Sequence, residues 1–287
     1  MKKFAKMAVA AAIAAVGMAA HATLLIDDFS TGQAKLNDDT VNGLGYSSSV
    51  LGAMIGGNRD LFVEKTVGTS SAAVSMQVDP NGTSVGNGAL TFAEGSQATG
   101  RGIIRWDGVG VAYGDPGTPT GPNFSAGISE SEASFNASRG YGLALSLFDY
   151  GNAFKLTVNE ADFGFIFSIV AYTDATNYTT LNLVAGANGQ DHTIPFALFY
   201  GPDVTIPGFG SRVQTGSGAN FSNVNALEAI INATPSGVVV GIPPGVPALD
   251  LSIDTINVVP EPGTMALTGL ALLGLGAMRR RKAVKTA

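Results

Sequence analysis

The chain of 287 residues contains no cysteine, a single tryptophan and two histidines, and only 13% of its residues are charged. Without cysteine, neither a disulfide framework nor a thiolate metal site is available. Cations are scarce where a folded domain would sit. Eight of the 16 Lys and Arg but 21 of the 22 Asp and Glu fall between residues 23 and 259, a net charge of about −13 there. Phosphate neutralisation needs a basic surface, so this composition excludes nucleic acid as a partner. It favours solubility and draws divalent cations near the surface. Also missing are the G-x-S-x-G nucleophile elbow, the phosphate-cradling P-loop and any His-rich metal spacing.

The two ends carry the strongest signals. Lys2, Lys3 and Lys6 form a basic segment, residues 7–20 are apolar, and Ala20-His21-Ala22 is a small-x-small cleavage site. This pattern is that of a secretory signal peptide, residues 1–22, handled by the Sec export machinery, with the mature chain starting at Thr23. The apolar run is short for a membrane span. At the other end, residues 264–278 are uncharged, and Arg279, Arg280, Arg281 and Lys282 follow directly. Fifteen helical residues rise about 22 Å, short of a roughly 30 Å hydrocarbon core. Gly269, Gly274 and Gly276 dilute the run, and Pro260 and Pro262 restrict helix upstream. The cations snorkel to headgroups and hold the C-terminus on the cytoplasmic side, while the signal peptide sends the rest outside. The expectation is a short C-terminal transmembrane helix that anchors the chain weakly in the inner membrane.

Pro260-Glu261-Pro262, the apolar run and the basic cluster together resemble the PEP-CTERM sorting signal of exported bacterial proteins, spanning residues 259–287 here. That resemblance implies recognition by an exosortase, cleavage near the Pro-Glu-Pro, and release to the cell surface or an extracellular polysaccharide layer.

Residues 23–258 read as an all-β ectodomain. Segments rich in β-branched and aromatic residues recur between clusters of Gly, Asn, Asp, Ser and Pro, as in a β-sandwich. Strands are expected at 24–29, 60–67, 72–78, 88–92, 102–106, 142–148, 154–158, 163–172, 179–184, 192–199, 224–232 and 249–258. In the last, Leu249, Leu251 and Ile253 alternate, then Ile256 and Val258; the change of phase points to a bulge near Asp254 and Thr255. Residues 111–139 and 201–220 read as irregular. The first is expected to cover an edge or a face of the sandwich, and a domain boundary there is the alternative. Leu24-Leu-Ile-Asp-Asp-Phe29, the Arg-Asp of Gly57-Asn-Arg-Asp-Leu-Phe-Val63 and the closing Leu251-Ser-Ile-Asp-Thr-Ile-Asn-Val258 are similar to the strand pattern of galactose-binding-like jelly rolls. That similarity implies a jelly-roll-like fold, one on which many exported carbohydrate-binding modules are built.

Candidate chemistry is sparse. His192 is the one histidine after the signal peptide, and Asp191 beside it points to the opposite face of a strand. Asp27, Asp28 and Asp254 lie on the expected first and last strands, which neighbour each other in jelly rolls; hard oxygen ligands there suit a structural Ca²⁺, and a solvated acidic surface is the alternative. For glycans, an exposed aromatic stacks on a sugar face while polar neighbours bond its hydroxyls. Trp106 and Tyr113, with Arg105 and Asp107, flank the long polar loop and are the first candidates; burial in the core is the alternative. Three functions remain: a non-catalytic structural or adhesive matrix protein, a specific carbohydrate-binding module, and a glycan-active hydrolase using two carboxylates.

Overall fold

The computed structural model describes residues 23–69, 71–79, 88–108, 128–186, 189–206, 210–233 and 247–260. Two antiparallel sheets face each other. The smaller is built from β1 (Leu24–Asp27), β2 (Gln33–Asp38), β5 (Val74–Asp79), β6 (Ala89–Glu94), β9 (Ala153–Ala161), β12 (Asp191–Pro195) and β16 (Asp250–Val259). Its order is β12-β9-β16-β6-β5-β2, with β1 also beside β16. The larger holds β3 (Gly45–Leu51), β4 (Asn58–Gly68), β7 (Ala98–Trp106), β8 (Ile128–Glu130), β10 (Phe165–Tyr172), β11 (Tyr178–Ala185), β13 (Val204–Ile206), β14 (Gly210–Thr215) and β15 (Ala226–Ile231). It runs β13-β14-β11-β10-β15-β7-β4-β3-β8.

This is a β-sandwich, consistent with a jelly-roll-like architecture. Both sheets mix strands from before and after residues 111–139, since β7 pairs with β15 and β6 with β16. The sandwich is therefore continuous across that segment rather than divided by it.

Strand alternation builds the core. Leu61, Val63, Ile104, Trp106, Phe165, Phe167, Leu181, Leu183, Leu227 and Ala229 come from the larger sheet; Ile26, Val74, Met76, Leu90, Phe92, Phe154, Leu156 and Ile253 come from the smaller. At one end Phe154, Phe196, Phe199 and Phe221 cluster, with Phe196 and Phe221 ring centroids 4.3 Å apart. The outer face of the larger sheet is also covered. A short helix, α1 (Glu132–Ala137), is capped by Ser131, whose side chain accepts from the Ser134 N–H. It lays Phe135 on Phe62 with centroids 5.0 Å apart. Further along the same face Ile166 packs on Val184 and Ala233, and Val170 and Tyr172 pack with Tyr141, Tyr178 and Ala226, so every residue of β10 is buried, which explains an apolar run where a one-sided strand would alternate.

The last strand organises the smaller sheet. Residues 250–253 pair with β6 and residues 256–258 with β1, while β9 lines the other edge. The register against β9 slips on both sides of Ile253, around Asp254, so Leu251, Ile253, Ile256 and Val258 all point inward. The bulge expected from the change of apolar phase is present.

Other expectations need correction. Residues 142–148 form no strand: Leu145 makes an isolated bridge to Val224 and the chain then turns through Leu147–Asp149. Strand β12 stops at Pro195, where a 3₁₀ turn, Phe196–Phe199, takes over. Residues 201–220 contain β13 and β14, and β2, β3 and β8 are additional strands. Within the stretch 111–139 expected to be irregular, residues 128–130 form the edge strand β8 and α1 covers part of the outer face; residues 109–127 lie outside the described residues.

Candidate functional site

Strand β4 places Arg59 in phase with Leu61 and Val63, and therefore inside the sandwich. Its guanidinium meets Asp27, which ends β1, at 2.9 and 3.1 Å. Gln33 accepts from Arg59 Nε at 2.9 Å, and the Thr31 carbonyl accepts from the same guanidinium. Asp27 further accepts the Trp106 Nε1–H at 2.9 Å and the Phe29 N–H at 2.8 Å. Arg59, Asp27 and Trp106 are all essentially inaccessible to solvent, at 0, 0 and 2% exposure. Burial pushes the Arg59 pKa down, and the Asp27 charge works against that.

One residue earlier than Trp106, Arg105 points to the outer face. Its Nε donates to Glu228 at 2.7 Å, its Nη1 to the Phe135 carbonyl at 2.8 Å, and its guanidinium lies 3.8 Å from the centre of the Phe135 ring. Glu228 also receives Arg139 at 2.7 Å and the Tyr172 hydroxyl at 2.9 Å. Burial pulls the Glu228 carboxyl upward, but Arg105 and Arg139 outweigh it and hold it below its ordinary range. Asp107 accepts from the Gly140 N–H at 2.7 Å. Asp60, across from Arg105 on β4, is pushed up to about 7, first by burial and then by the Asp107 charge.

Of the four glycan candidates, Arg105, Trp106 and Asp107 are contiguous in sequence and do not share one exposed face. Arg105 and Trp106 face opposite sides of one strand, as neighbouring strand residues must. Both, and Asp107, are buried. Trp106 is a core residue holding Asp27, and Arg105 clamps α1 onto the sheet. Tyr113 lies outside the described residues.

The first and last strands are neighbours, as expected for the three aspartates, with Asp27 opposite Ile256. The carboxylates of Asp27 and Asp28 are engaged separately. Asp27 is engaged inside by Arg59 and Trp106, Asp28 bonds the Ser30 N–H and hydroxyl at 3.0 and 2.6 Å, and Asp254 sits half-buried at the bulge. Among the described residues no group of three or more His, Asp or Glu is placed to hold a metal ion.

His192 lies on β12 and Asp191 faces the other way, bonded to Lys155 at 2.7 Å. Burial lowers the His192 pKa, and Asp191 opposes this. The imidazole borders a cavity of about 240 Å³ between the sheets, with Leu156, Phe167, Leu183 and Ile194 among its walls.

Residues that composition did not single out do most of the clamping. Glu228 and Arg139 hold the outer cluster. Glu94 accepts from the Gly100 and Leu249 N–H groups and from Asn232 Nδ2, joining three segments. Lys65 Nζ donates to the carbonyls of Asp39, Thr69 and Ala72. For Arg59 and Lys65 a signal existed: each is in phase with buried Leu61 and Val63.

The C-terminal end of β16 leads into the tail. Val258 is buried, the Val259 carbonyl accepts from the Asn152 N–H at 3.1 Å, and Pro260 is exposed. Glu261, Pro262, the apolar run 264–278, Arg279, Arg280 and Arg281 lie outside the described residues. Among the described residues no helix is long and apolar enough to cross a membrane. Residues 258–282 match the PEP-CTERM protein-sorting motif. No curated protein matches the chain in sequence.

Proposed function

Starting from a chain that carries the PEP-CTERM sorting motif, and so is exported, sorted by an exosortase and transiently anchored at its C-terminus, we propose that the sandwich serves as a non-catalytic structural or adhesive component of an extracellular polysaccharide layer. The observation that supports this reading is where the charged side chains go. Arg59 with Asp27, and Arg105 and Arg139 with Glu228, are buried in contacts that tie strands and α1 together. These groups hold a scaffold and are not presented to a substrate. Burial and then the Asp107 charge raise the Asp60 carboxyl, but Asp60 and Asp107 are both buried, at 3 and 2% exposure, out of reach of a glycan. Polysaccharide contact in this reading is weak and multivalent, made by many copies in a layer.

The test is a fractionation of the released protein between culture medium and extracellular polysaccharide, paired with a pull-down on the purified polysaccharide. Retention in the polysaccharide fraction, with no glycan turnover, is expected. Free protein in the medium, or release of reducing sugar, would sink the reading. A specific carbohydrate-binding module is the second reading, favoured by the cavity beside His192 and Thr193, where polar groups meet apolar walls. Saturable binding of one glycan, lost in a folded His192→Ala variant, would establish it.

A further inference from the structure

Leu24 and Val258 face each other across the antiparallel pair β1/β16, so the chain enters and leaves the sandwich at one corner. The exit is held tightly. The Asn152 N–H bonds the Val259 carbonyl, and a Cβ on Gly151 would lie 2.3 Å from that oxygen, so only glycine lets the turn press so closely on the strand end. Residues 260–263 are all that separate Val259 from the apolar run. Fully extended, four residues reach about 14 Å. The headgroup layer on either side of the hydrocarbon core is itself about 5–8 Å thick. The end of β16 is therefore held within roughly one further headgroup thickness of the bilayer surface.

The surface around this exit is aromatic. The turns Leu147–Asp149 and Phe196–Phe199 flank Asn152, whose carbonyl accepts from the Phe196 N–H. Phe148 is 39% exposed and Tyr200 44% exposed. Their inner edges rest on Phe196 and Phe221, with centroids 5.8 to 6.1 Å apart. Arg212, bonded to the carbonyls of Leu198 and Pro202, brings a cation to the same side. Aromatic rings with one packed and one open edge, joined by a cation, suit the boundary between headgroups and acyl chains. The domain's net negative charge gives no general attraction to anionic lipid, so the tether and this rim together must fix the orientation.

We propose that the rim formed by Phe148 and Tyr200 around Pro260 is the membrane-facing end of the anchored precursor and lies in the headgroup layer. The inference rests on residues 264–278 being the anchor. Its consequence is that Thr23 and Pro260, the two ends left by processing, lie side by side at the bilayer surface, so the sandwich can close before either hydrophobic segment is removed.

With no native cysteine, single nitroxide labels can be placed on the full chain without background. Phe148→Cys and Tyr200→Cys report the rim. Phe163→Cys reports the opposite end, next to Asp162, whose N–H bonds the carbonyl of Asp250 at the start of β16. The chain is reconstituted in phosphatidylethanolamine/phosphatidylglycerol vesicles and collision with oxygen and a soluble nickel chelate is measured. At 148 and 200 nickel collision is expected to be several-fold lower, and oxygen collision higher, than at 163. Should Phe148→Cys fail to fold, Tyr200→Cys reads the same rim. A chain that floats with the vesicles but shows all three labels equally open to nickel overturns the orientation alone. A chain that does not float overturns the anchor and the orientation with it.

Discussion

Arg59 and Asp27 form an ion pair at 2.9 Å in which neither side chain reaches solvent. A buried pair is costly to break because the survivor is an uncompensated charge. Arg59→Met alone is expected to lower unfolding free energy by about 3–5 kcal/mol. Arg59→Met combined with Asp27→Leu is expected to cost less than that single change, as read by urea denaturation. A single variant as stable as the parent would refute the clamp.

Trp106→Phe removes the indole N–H that Asp27 accepts and keeps most of the buried ring. Its expected cost is about 1–3 kcal/mol. Because Trp106 is inside, the folded variant should retain polysaccharide as well as the parent does. Loss of retention at unchanged stability would return Trp106 to the glycan surface.

Asp60 and Glu94 are both pushed up to about 7 by burial. The folded chain therefore holds protons that the unfolded chain, with ordinary carboxyl values near 4, has already released. Stability should fall as pH rises through roughly 5 to 7, at up to about 1.4 kcal/mol per pH unit for each group, and level off above. Urea midpoints from pH 5 to 8 measure this slope, and Asp60→Asn should flatten it. A rising slope would contradict the burial of both carboxylates.

Asp27 is already engaged with Arg59, so Asp254→Asn should leave the melting temperature unchanged in Ca²⁺ and in chelator alike. A chelator-sensitive melting temperature that Asp254→Asn abolishes would restore a calcium site at the bulge.

Pro262→Ala, or neutralising Arg279, Arg280 and Arg281 together, should leave uncleaved precursor in the membrane fraction on an immunoblot. Wild-type processing of both would count against the sorting signal as the route of release.

Much of the sandwich was legible because buried strands announce themselves. The run 165–172 is apolar because both its faces are covered, and the bulge at Asp254 shows as a one-residue change in apolar phase. Strands β2 and β14, reading Gln-Ala-Lys-Leu-Asn-Asp and Gly-Ser-Arg-Val-Gln-Thr, were not legible. β2 is an edge strand and β14 lies next to the edge strand β13, so both carry polar side chains that look like loop. Arg105, Trp106 and Asp107 were misread for a different reason: sequence marks an aromatic flanked by charges, and does not say that Trp106 turns into the core while a helix 30 residues later covers Arg105.

Export and sorting were determined by sequence alone. Basic, apolar and proline-punctuated segments act through local charge and hydropathy, which need no partner residue far away. Which side chains are inside was decided by tertiary structure. A strand offers two equivalent faces, and long-range pairing chose among them. It set β1 beside β16, joined Arg59 to Asp27, folded α1 over Arg105, and brought the chain's entry and exit to one aromatic rim.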